Sequence, residues 1–286
     1  MFIMERIILG LMGCLAVLSA AAEESFTGVE VDESKVVKQQ LYKDSSEACG
    51  PAAMINALRF GTLEMQKASD SLMGNDDRAR LRFVIDRYFR NAQSEVFPKV
   101  KRLWHKGVLP ADLRNAFNDL LKDNQLEPMT SLELDRQDGE SDRDFLERVH
   151  EKLKRSLKRD VPPIILLRTY AVMPKEEGSA GVVWKATNSH FLVVTRVPTK
   201  LRKQDMGFVF DAVDSNGGRL ISGYVFGEKH LPFRAEKGTT DPTKVEWLSG
   251  RPFLLVKVPG VVSLRPQKAT WKDRVIVTLC DAIGGF

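Results

Sequence analysis

The sequence predicts an α+β domain in which the helices come first along the chain and the strands follow. Helical periodicity dominates residues 49–159, whereas residues 164–258 hold short apolar or alternating runs bounded by Gly, Pro, Asn and Asp. This segregation is typical of α+β domains, and short strands between turn residues favour an antiparallel sheet. The chain has 286 residues, of which 43% are hydrophobic and 28% are charged. Such a composition excludes the disordered, collagenous and multi-span membrane classes.

The first predicted helix covers residues 49–60. Pro51 falls in its first turn and Gly61 lies just past its end, which are the favoured positions of these two residues around a helix. Ala53 and Ala57 share one face, so the helix can approach its neighbours closely on that side.

Two further helical stretches are predicted before the strands begin. Residues 62–140 form a helical elaboration of the domain, with one helix starting at Pro110. Another helix begins at Ser141 and ends near residues 160–163. Its apolar residues recur in steps of four and predict one buried stripe, formed by Phe145, Val149, Leu153 and Leu157.

The strands are predicted from short runs rich in apolar residues, and they occupy 164–169, 181–186, 191–197, 207–213, 218–223 and 251–258. One more possible strand, at residues 275–279, lies in a C-terminal tail formed by residues 263–286. We expect residues 23–262 to form the main domain and the tail to pack on it.

The N-terminus has the pattern of a signal peptide over residues 1–22. Arg6 closes a short basic region, residues 7–18 are apolar, and small alanines occupy residues 20–22. The expectation is therefore an exported protein, periplasmic or secreted. Cys14 offers an alternative, because residues 11–14 resemble a lipoprotein signal that would leave this cysteine carrying lipid.

Charge and cysteine content exclude several kinds of site. The 43 basic and 38 acidic residues leave a net charge of +5, which is mild and makes no case for nucleic acid binding. Three cysteines and four histidines without paired-cysteine spacing predict neither a disulfide framework nor a zinc site, and no cofactor is expected. Beyond the leader there is no apolar run of about 18 residues, so no stable membrane insertion is expected.

Three residues have the pattern of a thiol-based catalytic site. Cys49 stands at a helix N-terminus, where unsatisfied amides and the helix dipole favour thiolate over thiol. His190 lies where a loop enters an apolar strand, and Asp214 ends the next strand before a Gly-rich turn. Antiparallel neighbouring strands would bring these two residues together, although Asp211 is a rival for the acidic position.

Four segments carry a family resemblance. In order, residues 48–53, 141–166, 190–194 and 213–218 resemble the papain-like cysteine peptidases of the double-glycine, bacteriocin-leader-processing type and their stand-alone relatives. The resemblance implies a papain-like fold in which the nucleophile helix packs on an antiparallel sheet.

The same resemblance implies roles for individual residues. Cys49 would be the nucleophile, His190 the general base and acid, and Asp214 the residue that orients His190. The separation of Cys49 and His190 agrees with the roughly 130–150 residues of papain-like enzymes. An upstream Gln would join the Cys49 backbone amide in an oxyanion hole.

The chain departs from the family pattern at two places. Many members have Pro after the Asp, whereas this chain has Ser215. The Gln usually precedes the Cys by about six residues, but position 43 is Lys, so the oxyanion role is assigned to Gln40, with Gln39 as the alternative. Nothing in the chain resembles the membrane and ATP-binding parts of leader-processing transporters, and that role does not carry over.

The expected function is that of an exported cysteine peptidase acting on a peptide or protein substrate. A cell-wall amidase or a transglutaminase-like acyl transferase is an alternative, because both use similar residues. An inactive binding protein, with Cys49 in a disulfide to Cys280, is an alternative of another class.

Overall fold

The computed structural model describes residues 25–104, 107–132, 134, 137–173, 183–227, 254–265 and 275–286. The predicted signal peptide, including Cys14, lies outside the described residues. Within these ranges the α-helices are α1 (Cys49–Arg59), α2 (Leu63–Asp70), α3 (Asp77–Val84), α4 (Pro110–Asp123) and α5 (Asp142–Lys158). A π-helical turn, Ile85–Arg90, continues α3.

Helix α1 begins at Cys49, as the sequence predicts, and it is buried on every side from Cys49 to Leu58. The helix packs against a long strand that contains Phe191. Gly50 is required by this packing, because a Cβ at that position would collide with Val108 and touch Phe191. The small first turn thus lets the N-terminus of α1 reach the strands.

Helix α5 confirms the other strong helical prediction. It starts with a capping box in which Ser141 and Asp144 exchange hydrogen bonds, and its predicted stripe is buried throughout. Helix α4 starts at Pro110, also as predicted. The stretch between α3 and α4 contains a two-stranded hairpin of β2 (Leu103–Trp104) and β3 (Gly107–Val108).

The remaining described strands are β1 (Phe26–Gly28), β4 (Thr130–Ser131), β5 (Ile164–Met173), β6 (Val183–Pro198), β7 (Gly207–Asp214), β8 (Arg219–Gly227), β9 (Leu254–Lys257) and β10 (Val275–Gly284). Hydrogen bonding runs in the order β6-β5-β10-β9-β8-β7, and β7 pairs back with β6. These six antiparallel strands therefore form a closed barrel. Strand β1 adds to β6 and β4 adds to β10.

The barrel corrects the predicted fold class. The papain-like α+β fold, with a nucleophile helix on an antiparallel sheet, is wrong because the strands close into a barrel. Two features of the barrel differ from the predicted strands. The described part of the predicted strand 181–186 continues into 191–197 as one strand, β6, and the possible strand in the tail is the ten-residue β10, which pairs with both β5 and β9. Register shifts in β6 and β10 bend these strands, as closure requires.

Two hydrophobic cores flank the strands. One lies between helices α1–α4 and the side of the strands that carries Leu166, Phe191 and Val213. The other contains alternate residues from all six barrel strands together with the apolar stripe of α5. Because alternate residues of a strand face opposite sides, the two cores lie on opposite faces of the barrel strands, and the first joins helices α1–α4 to them.

Candidate functional site

The thiol of Cys49 lies in the first turn of α1, against β6. The residue is 8% exposed, and the backbone amides of Gly50 and Phe191 are within hydrogen-bond reach of its sulfur. A helix N-terminus carries unsatisfied N–H groups, so these amides stabilise negative charge on the sulfur. The local sequence, with Gly50 and Pro51 after the cysteine, is what allows this approach.

His190 and Asp214 form a buried pair on neighbouring strands. Nε2 of His190 is 2.7 Å from Oδ1 of Asp214, and the two side chains are 1% and 0% exposed. The same Oδ1 accepts a hydrogen bond of 2.7 Å from the amide of Asn216. Since Nε2 is engaged by Asp214, Nδ1 is the ring nitrogen available to Cys49, whose thiol acts on the pKa of His190.

Asp211, the rival for the acidic position, is engaged elsewhere. Its carboxylate pairs with Arg196 at 2.8 Å and accepts a hydrogen bond of 2.7 Å from Ser222 Oγ. Asp211 and Asp214 are three residues apart in β7, so their side chains point to opposite faces of the strand. Asp214 is therefore the residue that the fold brings to His190.

The electrostatics of Cys49 and His190 favour a thiolate beside an imidazolium. Burial alone would raise the pKa of the Cys49 thiol, but hydrogen bonding and charge interaction with His190 bring this pKa below its ordinary value. Burial alone would lower the pKa of His190, but its hydrogen bonds to Asp214 and Cys49 raise it to about 9. Each group thus shifts the pKa of its partner in the direction that favours the charged form.

The two glutamines lie in a 3₁₀ turn, Gln39–Leu41, and have different surroundings. Gln40, the residue assigned to the oxyanion hole from the sequence, is exposed and its amide spans Asn216 and the amide of Gly217. Gln39, the alternative, is 6% exposed and accepts a hydrogen bond of 3.0 Å from Ser215 Oγ. The structure therefore buries Gln39 next to the turn that follows Asp214.

Asn56 fixes this 3₁₀ turn to α1. Its buried side chain accepts a hydrogen bond of 2.8 Å from the amide of Val37 and donates one of 3.0 Å to the carbonyl of the same residue. Sequence reasoning missed both Asn56 and Ser215 as site residues. The available signals were an asparagine within an otherwise apolar buried helix, and a serine where the resemblance expects Pro.

Cys280 lies in β10, and neither it nor Cys49 takes part in a disulfide. Burial raises the pKa of the Cys280 thiol and outweighs the lowering effects of Arg168, Thr278 and Tyr170. The disulfide that an inactive binding protein would use is therefore not formed.

No group of three or more His, Cys, Asp or Glu in the described ranges could hold a metal ion. No helix in the same part of the chain is long and apolar enough to span a bilayer.

Comparison with known proteins gave no relative. No family model matches this chain, and no curated protein or solved structure matches it.

Proposed function

We propose that this protein is a cysteine hydrolase, and specifically a peptidase, in which Cys49, His190 and Asp214 cleave an amide bond. The observation that carries the proposal is the continuous buried contact from the Cys49 thiol through the His190 ring to the Asp214 carboxylate. A nucleophile, a base within hydrogen-bond reach and a group that orients the base are the parts that acyl transfer requires.

The proposed reaction has two balanced halves. In the first, the Cys49 thiolate forms a C–S bond to the substrate carbonyl carbon, and the carbonyl electron pair moves onto oxygen. When this intermediate collapses, the C–N bond breaks and the leaving amine takes the proton of the His190 imidazolium. In the second half, water attacks the thioester while His190 removes its proton, and the C–S bond breaks to release the acid and restore the thiolate.

Gln39 is the proposed side-chain donor to the oxyanion, together with the Cys49 backbone amide. Two observations support this role. Gln39 is buried, and it lies between the turn after Asp214 and helix α1, because Asn56 of α1 holds the segment that precedes Gln39. An amide held in this way adds stabilisation at the atom where negative charge develops. Gln40, with its exposed amide, takes no part in the proposed reaction.

The first test is the rate of alkylation of Cys49 by iodoacetamide across pH, with the modified site mapped. At about pH 6.5 we expect Cys49 to react at least about tenfold faster than free cysteine, because its lowered pKa leaves a larger fraction of the thiol ionised. His190→Asn should remove this advantage, whereas Asp211→Asn, a matched change outside the pair, should keep it. A wild-type protein that reacts no faster than free cysteine would contradict the proposal.

The second part of the test measures turnover of p-nitrophenyl acetate and of a mixture of fluorogenic peptides. Cys49→Ala should abolish both activities, and His190→Asn should lower them by about 10³-fold or more. Adding hydroxylamine separates hydrolysis from acyl transfer. If hydroxamate forms, but no peptide is hydrolysed when hydroxylamine is absent, the peptidase proposal would be replaced by an acyl transferase.

Export remains a prediction from the leader sequence.

A further inference from the structure

We propose that Ser215 is a positioning residue whose hydroxyl orients the side-chain amide of Gln39 so that Nε2 faces the developing oxyanion. This inference rests on the proposed function. It also gives a role to the serine that stands where the family resemblance expects Pro.

Ser215 holds Gln39 at two points. The Ser215 hydroxyl donates to Oε1 of Gln39 at 3.0 Å, and the backbone amide of Gln39 donates to the Ser215 carbonyl at 3.1 Å. Ser215 is 1% exposed and Gln39 is 6% exposed, so solvent competes little for these groups. The backbone bond fixes where the Gln39 residue sits, and the hydroxyl acts on its side chain.

The Ser215 hydroxyl determines which end of the Gln39 side-chain amide faces the substrate. A glutamine amide has an acceptor oxygen at one end and an NH₂ donor at the other, and the two ends have nearly the same shape. Because a hydroxyl proton engages Oε1, the donor end points away from Ser215. Without that proton the amide could turn over and present its oxygen to the substrate oxyanion, which would repel it.

The turn that carries Ser215 also carries the partner of the base. Asp214 precedes Ser215, and the turn returns to β8 through Gly217 and Gly218, whose φ angles are +106° and +68°. These positive angles favour glycine at both positions. One turn therefore sets both the position of Asp214, the partner of His190, and the orientation of Gln39. Ser215 is the residue that orients Gln39.

The test compares two reactions of the same thiol in Ser215→Ala. Iodoacetamide is attacked at a saturated carbon with loss of iodide, so no oxyanion forms and Gln39 is not needed. Acylation by p-nitrophenyl acetate passes through a tetrahedral oxyanion. We expect Ser215→Ala to slow acylation about 10- to 100-fold while the alkylation rate and its pH dependence stay within about twofold.

Ser222→Ala is the matched control. It removes another serine hydroxyl that donates a hydrogen bond, in this case to Asp211, but it lies on β8 away from Gln39. Both reaction rates should be unchanged in this variant. Alkylation of Cys49 also reports that the site of Ser215→Ala is assembled, so a misfolded variant is recognised by loss of both reactions.

A double variant makes the inference specific to Gln39. Gln39→Ala should slow acylation by about 10²-fold, and adding Ser215→Ala in that background should cause no further loss. A further loss, or normal acylation in Ser215→Ala with Gln39 intact, would overturn the inference. Failure of the proposed function looks different, because wild-type Cys49 would then lack fast alkylation near neutral pH.

Discussion

The two described cysteines show that burial raises the pKa of a thiol unless a neighbouring histidine offsets it. Both side chains lie among packed residues, and burial acts to raise the pKa of each. Cys49 has the His190 ring and a helix N-terminus beside it, and its pKa falls. For Cys280 burial outweighs the lowering effects of Arg168 and of the Thr278 and Tyr170 hydroxyls, and its pKa rises. Alkylation near neutral pH should therefore select Cys49.

The protonation of His190 predicts an alkaline limit for peptide cleavage. The imidazolium must give its proton to the leaving amine, and because its pKa is raised to about 9, it keeps that proton throughout the neutral range. We expect kcat/KM for a peptide amide to fall as pH rises through about 9. The measurement is a pH profile between about pH 5 and 10.5.

An Asp214→Asn variant provides the comparison for this profile. An asparagine cannot supply the carboxylate that helps to raise the pKa of His190, so the alkaline limit should move to lower pH and the rate should drop. An alkaline limit near the ordinary value of histidine in the wild-type protein would show that His190 is not coupled to Asp214 and Cys49 in solution.

Helix α1 carries both the nucleophile and the attachment point of the Gln39 segment. Its first residue carries the thiol, and Asn56, two turns later, holds the segment before Gln39 through both polar groups of Val37. The nucleophile and the proposed oxyanion donor are thus attached to the same rigid element. Geometry of this kind is more reliable than a site assembled from loops alone.

Asn56→Ala should affect stability and acylation together. The change leaves a buried N–H and a buried C=O of Val37 without partners, which should cost about 2–3 kcal/mol of unfolding free energy. Loss of the attachment should also slow acylation by p-nitrophenyl acetate more than alkylation by iodoacetamide. Urea denaturation and the two rates check these expectations.

Asn118→Ala is the matched control. Asn118 lies on α4, and its side chain makes the same pair of hydrogen bonds with the backbone of Met129. It should lower stability and leave both rates unchanged once the protein is folded. Equal effects of the two variants on acylation would remove the special role of Asn56.

The elements that the sequence predicts well are those whose signals are local. The start of α1 at Cys49 and the stripe of α5 follow from proline position, capping and four-residue spacing. The sequence predicts two strands where β6 is one, because the polar residues Thr187, Asn188 and Ser189 interrupt the apolar pattern. In the barrel, Asn188 donates to the Arg265 carbonyl and Thr187 to that of Thr169, so polar residues fit within the strand.

The proximity of the candidate site residues is more predictable than the fold that holds them. The sequence points to Cys49, His190 and Asp214 in chain order, and the structure brings them together. The choice between Gln39 and Gln40 depends on the direction of two side chains in a 3₁₀ turn, which no periodicity specifies. Barrel closure depends on β10 pairing with β5, a contact between Ile283 and Ile164 that local patterns cannot reveal.

Asp281 in β10 makes the stability of the barrel depend on pH. Burial raises the pKa of its carboxyl to about 7, despite Arg114 and Arg168, and Oδ1 has no hydrogen-bond partner among the described residues. The folded state therefore binds more protons than the unfolded state between about pH 4 and 7. Stability from this group is full below about pH 4 and is lost as pH rises through about 7.

Asp281→Asn should remove this dependence. The variant and the wild-type protein should unfold at similar urea concentrations at about pH 4, whereas the variant should be more stable at about pH 8, by on the order of 1 kcal/mol. Asp70→Asn, which changes an exposed carboxylate at the end of α2, should show no such divergence. A constant difference between Asp281→Asn and wild type across pH would contradict the expectation.

The pairing of distant strands also determines how this protein folds. Thr27 of β1 meets Val197 of β6, and Ile164 of β5 meets Ile283 of β10, so the ladders join segments more than about 100 residues apart. Long loops must close before these contacts return any free energy. The chain should therefore fold slowly. Until the barrel closes, β10 exposes an unpaired strand edge. During that interval aggregation competes with folding.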